Sequence, residues 1–236
     1  MTAAPLEPPT RGRRRGNLAD DVAAHIRREI LAGRFVPGAR IDQDAIADEL
    51  GVSRLPVREA LIALDQEGLV VTVPRKGSYV MQLEASDIAD HYQLFGQVAG
   101  LAAARACARM NDEQIDELER LHALMHSASD VMEQERLNHE FHRLINTASG
   151  SQRITSMVKL LSRSLPMPYA DFPTAWLAEA ERQHRDIVDA FRRRDTAAAQ
   201  RAMEQHITAS GRHAIDVLDS MGFFGKGTDA ASLALD

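Results

Sequence analysis

Leu18, Val22, Ile26 and Ile30 recur every four residues and stop at Gly33. That spacing places one apolar stripe on a helix over 18–32. Asp42 stands where a second helix needs an N-cap, and the pattern carries that helix to Leu50. Val57, Leu61 and Leu64 predict a third helix over 54–66, stopped by Gly68. Leu69 to Val73 and Ser78 to Gln82 are short β-prone runs, joined through Pro74-Arg75-Lys76-Gly77 as a hairpin. From Ser86 onward the strand signals cease. Helical patterns broken at Asn111, Ser129, Ser149-Gly150, Pro166 to Pro173 and Asp195 predict helices over 87–110, 112–127, 130–148, 152–165, 174–194 and 196–220. Six helices with short links read as an antiparallel bundle. The expectation is a mainly α chain, with a three-helix and hairpin domain at 17–82 and an all-helical domain at 86–220. An aperiodic basic arm at 1–16 is expected to be disordered. The tail at 221–236 is expected to be loose, with Phe223-Phe224 packing on the bundle or on a second copy.

Within the first domain, residues 42–66 read as a helix-turn-helix. Gly51 permits the left-handed backbone of a tight inter-helix turn. Ser53 is placed as the N-cap of the next helix, and Pro56 falls in its first turn, where a missing N–H is tolerated. Arg54 and Arg58 lie four apart and project from one side. Two arginines at the start of a helix in the major groove can bond to guanine edges or to phosphates.

The run from Val52 to Leu61, with Pro37-Gly38 before it and Glu67-Gly68-Leu69-Val70 after it, resembles the winged-helix domain of the GntR bacterial transcription regulators. The resemblance spans about residues 17–82. Leu55 departs from it, where the family usually has a small polar residue. The resemblance implies that the hairpin is a wing. Arg54 and Arg58 are then expected on bases. Ser53, Lys76 and Gly77 are expected on phosphates or the minor groove, and Arg40 on a phosphate.

Composition narrows the setting. With 44% hydrophobic and 26% charged residues the 236-residue chain is ordinary for a soluble protein. No apolar run has the length of a membrane span, and the start is not signal-like. The single Cys107 cannot form an internal disulfide, which fits a reducing cytoplasm, and it reads as a buried small hydrophobe. The net charge of −6 argues against a nucleic-acid partner until it is divided. Residues 1–80 hold 12 basic and 11 acidic side chains, and the remainder holds 16 and 23, so the acidity belongs to the bundle. Arg11, Arg13, Arg14 and Arg15 make the start locally basic, as suits an arm following phosphates.

Nine histidines are many for this length. His184 lies 11 residues before Asp195, and His206 lies 11 residues after it. In an antiparallel helix pair turning at Asp195, both stand about 16 Å from the turn and face one another. Asn138 and His142 share a helix face at i and i+4, but so do His122 and His126, and His139 also competes. Spacing does not choose among them. Three imidazoles with open positions suit a divalent first-row ion, Zn²⁺ or Ni²⁺ ahead of Mn²⁺.

Asn138-His139-Glu140-Phe141-His142, Gln183-His184-Arg185-Asp186 and Glu204-Gln205-His206 resemble the FCD effector-binding domain of the FadR-type branch of the GntR family, over about residues 86–220. Many members hold a divalent metal with three His and one Asp, beside a small organic acid. The resemblance therefore implies His142, His184 and His206 as metal ligands, with Asn138 where Asp is usual. The family's first bundle helix commonly carries an Arg and a Glu where Phe95 and Ala99 stand here. A guanidinium that pairs with an effector carboxylate is thus missing.

The expectation is a homodimeric, effector-controlled regulator that reads a near-palindromic DNA operator in the cytoplasm, with no membrane partner. A regulator whose metal ion is itself the signal is the alternative. A metal-dependent enzyme is a distant third, since Glu140 points away from the face of Asn138 and His142 and no base is obviously placed.

Overall fold

A computed structural model describes residues 15–165 and 174–224. The expected arm, apart from its last residues, and most of the expected tail lie outside them. The described residues divide into two compact units, with boundaries at Glu84/Ala85 and Val217/Leu218.

The first unit holds α1 (Arg15–Leu31), α2 (Gln43–Leu50), α3 (Arg54–Gln66), β1 (Val70–Val73) and β2 (Gly77–Val80). Val22, Ile26 and Ile30 of α1 are buried with Val57, Leu61 and Leu64 of α3, because both stripes are apolar at helical spacing. Leu18, at the start of the α1 stripe, stays exposed. Arg27 of α1 reaches Glu67 at the end of α3 through contacts of 2.6 to 3.0 Å, and both side chains are almost fully buried. Asp42 caps α2 by accepting from the amides of Asp44 and Ala45. Gly51 ends it at φ 64°, a left-handed conformation that glycine adopts without a Cβ penalty.

One expected cap bond is absent. Ser53 has the extended cap backbone, yet its hydroxyl caps no amide. The sequence removes one of its two possible partners. An N-cap hydroxyl bonds the second or third helical N–H. The third residue here is Pro56, which has none, and only the Leu55 amide remains. The two strands pair antiparallel, from Val70 with Val80 to Val73 with Gly77. Arg75 (φ 65°) and Gly77 (φ 116°) take the positive dihedrals that turn the hairpin. Residues 39–41 add to the far side of β2, through Val80 N–H to Ala39 O and Ile41 N–H to Ser78 O.

The second unit is built from α4 (Ala85–Arg109), α5 (Asp112–Ser127), α6 (Val131–Ala148), α7 (Gln152–Ser164), α8 (Thr174–Arg192) and, as far as Val217, α9 (Thr196–Ser220). Where the links are described they hold two or three residues, so consecutive helices return beside one another. Side chains fix the starts: Asn111 and Gln114 form a capping box on α5, Asp130 caps α6 and Ser151 caps α7. The helix expected to reach residue 194 ends at Arg192. Arg194 is held left-handed at φ 56°, with its guanidinium on Met110 O and Asp112. Small residues let α4 and α9 approach closely: a Cβ on Gly100 would stand 2.5 Å from Cγ of Glu204. Cys107 is fully buried, as expected of a small hydrophobe. Among the described residues, no helix is long and apolar enough to cross a membrane.

Candidate DNA-reading surface and metal centre

α3 presents two faces. Val57, Ala60, Leu61 and Leu64 are buried, while Arg54 and Arg58 are exposed one turn apart at its N-terminal end. Arg54 forms an exposed ion pair with Asp44 of α2. Such a pair is weak in water and can be exchanged for a phosphate or a base edge. Leu55, the departure from the family pattern, is exposed beside them. At the hairpin tip Lys76 is exposed, and its carbonyl accepts from the Tyr79 hydroxyl at 3.3 Å. The Arg40 side chain lies over Gly77: a Cβ there would stand 2.9 Å from Arg40 Nε. The hairpin thus gathers Arg40, Arg75 and Lys76, and Arg75 was not singled out from sequence because its turn conformation was not legible.

In the second unit three histidines meet. His142 of α6, His184 of α8 and His206 of α9 offer ring nitrogens that all lie within 4.8 Å of one another. The Nε2 atoms of His142 and His184 are 3.4 Å apart, and the rings of His184 and His206 are centred 4.3 Å apart. Equal spacing from Asp195 does bring α8 and α9 into this register. Phe141, fully buried, sets its edge against His142 and His184 at 5.4 and 5.0 Å between ring centres. Burial holds all three imidazoles below their usual pKa, His206 at about 4 and the other two well below 6.5. The trio is therefore neutral at pH 7, the state in which imidazole binds a metal.

The surroundings fit an ion. His206 Nδ1 lies 3.0 Å from Gln183 Oε1, an acceptor, so Nδ1 carries the proton and Nε2 is bare. Gln183 in turn donates to Glu179 at 2.9 Å. This Glu179–Gln183–His206 chain orients the ring as a metal-ligating histidine requires. Sequence reading missed the role of Gln183 and Glu179, although their i, i+4 spacing one residue before His184 was visible. Asn138 stands one turn before His142, and its Oδ1 is buried with no hydrogen-bond partner. A buried carbonyl oxygen left without a partner is costly, and a cation would satisfy it.

The competing histidines are elsewhere engaged. His122 Nε2 is 3.4 Å from the Glu181 carbonyl, His126 Nδ1 is 3.1 Å from the Glu181 carboxylate, and His139 bonds the Glu135 carbonyl. His122 and His126 instead line a cavity of about 240 Å³ with Met125, Leu177, Glu181 and His184. Among the described residues that line it there is no Lys or Arg. Phe95 packs near Tyr92 and Ala99 is buried, so neither brings charge to the interior. Glu140 is on the outer face of α6, paired with Arg136.

A family model described as the FCD domain matches residues 90–209, and one described as bacterial regulatory proteins, gntR family, matches residues 18–80. The chain is 30% identical over 197 residues to an HTH-type transcriptional regulator of Streptomyces ambofaciens, covering 80% of this chain and 81% of that one. It is 28% identical over 190 residues to the transcriptional repressor RspR of Escherichia coli, covering 77% and 82%. An HTH-type regulator of Mycobacterium tuberculosis is 29% identical over 147 residues, and the match spans 62% of this chain and 60% of that relative. Among solved structures, E. coli McbR/YncC is similar with a TM-score of 0.62 at 20% identity, over 86% of this chain and 97% of that one. A GntR regulator from Rhodococcus has a TM-score of 0.52 at 22% identity, over 85% and 98%. At these identities the structural likeness speaks for the fold.

Proposed function

Because the chain belongs to the gntR family of DNA-binding bacterial regulatory proteins and carries an FCD domain, we propose that a small organic effector, held at a divalent ion in the helical unit, controls its affinity for an operator. The observation that carries this reading is the convergence of three neutral imidazoles, His184 and His206 buried and His142 half-buried, next to a cavity that shares His184. His142, His184 and His206 would hold the ion, with Asn138 Oδ1 as a weak fourth donor. Imidazole donors favour Zn²⁺ or Ni²⁺ over Mn²⁺. When bound, the ion supplies a Lewis-acid position for an effector oxygen. An acid effector would rely on that position, since the described lining of the cavity offers no guanidinium. The protein's own part is to fix the ring of His206 through Gln183 and Glu179 and to keep water from the cluster.

At the DNA, Arg54 and Arg58 read base edges, and Ser53, Arg40, Lys76 and Gly77 meet phosphates or the minor groove. Two copies of the first domain on a two-fold axis fit two halves of a near-palindromic operator in the cytoplasm. Effector binding acts only through a difference in affinity for the two arrangements of the dimer.

Elemental analysis of the purified chain tests the metal site. His184→Ala loses the ion and the effector response while operator binding persists. Full occupancy in the triple alanine variant of His142, His184 and His206 would move the site elsewhere. The reading in which the ion alone is the signal is supported by all three imidazole donors coming from the chain itself. Chelation that abolishes operator control with no effector present selects it.

A further inference from the structure

The outward face of α3 is not wholly polar. Leu55 (57% exposed) and Ile62 (58%) stand on it, in the same helix whose Val57, Ala60, Leu61 and Leu64 are buried. Two turns separate them, so at 100° per residue they fall within about 20° of one line, about 10 Å apart along the axis. Arg58 and Glu59, both exposed, flank that line on either side. The α3 core stripe is complete without Leu55 and Ile62, and neither is spent on packing the first unit.

A single exposed apolar side chain is ordinary on a protein surface. Leu55 is set apart by its place. It lies in the first turn of α3, directly after Arg54 and one turn before Arg58. A recognition helix enters the major groove with its N-terminal residues nearest the base edges. A leucine there offers neither donor nor acceptor. Set against a polar base edge it would strip water from that edge and return no hydrogen bond. The apolar group that the major groove displays is the C5-methyl of thymine. The two arginines and the leucine therefore read different things: the guanidiniums take guanine edges or phosphates, and the leucine takes a methyl and disfavours a polar edge at the same position.

We infer that Leu55 is a specificity-determining residue, packed on the C5-methyl of one thymine in each operator half-site, beside the base pairs met by Arg54 and Arg58. The inference rests on the reading of α3 as the recognition helix and adds a base to what that helix selects. Ile62, about 10 Å further from the N-terminal end, is the internal comparison.

Duplexes selected by the full chain from a randomised pool supply the probe. Their affinity is then measured by fluorescence anisotropy at fixed salt, with deoxyuridine replacing one thymine at a time. That exchange removes the methyl and leaves every hydrogen-bonding group of the base pair. At one thymine per half-site the unmodified chain should bind about fourfold more weakly, the worth of one buried methyl. Leu55→Ala should bind the thymine duplex more weakly and show no further loss on that exchange. Ile62→Ala should keep the full loss. Leu55 is exposed and alanine is the better helix former, so the variant keeps its fold, which far-UV circular dichroism verifies. An equal deoxyuridine effect in Leu55→Ala and the unmodified chain, or no sensitive thymine at all, overturns the inference. It leaves the recognition helix standing provided Arg58→Ala still weakens binding. If Leu55→Ala and Arg58→Ala both bind as tightly as the unmodified chain, the reading of α3 itself falls.

Discussion

Replacing Glu67 with alanine strands the Arg27 guanidinium inside the first unit. Arg27 and Glu67 side chains are 6% and 8% exposed, and Nε and Nη2 of Arg27 are spent on the two Glu67 oxygens. With the carboxylate gone, those donors have no acceptor and water has little access. Breaking a pair so buried costs about 3–5 kcal/mol. A small domain has only about 5–15 kcal/mol in total, so the loss removes much of what holds α1 against α3. Glu67→Gln keeps one acceptor oxygen and should lie between. Arg27→Met combined with Glu67→Leu removes both charges and should recover most of the loss, because the desolvation penalty disappears with them. Glu117→Ala, which breaks an exposed pair with Arg120 on α5, serves as the comparison and should leave the midpoint unchanged. Urea unfolding followed by far-UV circular dichroism measures the change. Trp176, the single tryptophan, sits in the second unit, so its emission follows that unit while dichroism sums both. Operator affinity should fall with the first unit. A Glu67→Ala midpoint within about 1 kcal/mol of the unmodified chain, or a double variant no better than the single one, refutes the reasoning.

Three other outcomes are expected. Arg58→Ala should weaken operator binding by about 1–3 kcal/mol and relax sequence preference in gel-shift titrations at fixed salt, and unchanged affinity would remove Arg58 from the reading surface. Gly211→Ala places a Cβ 2.4 Å from Cβ of the buried Tyr92 and should cost about 1–3 kcal/mol in thermal or urea unfolding, whereas a neutral result would mean that α4 and α9 separate easily. The metal-free protein should lose stability in acid. Burial lowers the folded pKa of His206 to about 4, while the unfolded value is about 6.5, so the unfolded chain binds more protons between those values. The contribution is complete above pH 6.5 and declines as pH falls, by about 2 kcal/mol at pH 5 from His206 alone, and an unfolding midpoint flat from pH 7 to 5 would contradict it.

Much of the fold was legible locally. The helix over 54–66, the cap at Asp42, the turn at Gly51 and the six bundle helices follow from periodicity and from residues whose own conformational limits act within a turn. The failures were local as well, at points where one side chain overrode a pattern. Pro56 deprived Ser53 of one of the two amides it could cap, and bonds to Met110 and Asp112 fixed Arg194 in the conformation that ends α8. The candidate metal site divided differently. Counting from Asp195 paired His184 with His206, since an antiparallel turn sets register along two helices. Choosing His142 over His122 was beyond spacing, because both lie on i, i+4 faces. Rotation of α5 and α6 about their axes, set by packing, turns His142 inward to the cluster and leaves His122 and His126 on Glu181. Likewise the roles of Gln183 and Glu179, the isolation of Asn138 Oδ1 and the burial of Arg27 with Glu67 depend on contacts between elements far apart in sequence. The sequence by itself determined which segments form helices and which residues were available for chemistry. Only the tertiary structure decided which of them meet, because packing fixes the rotation and offset of helices that local patterns leave free.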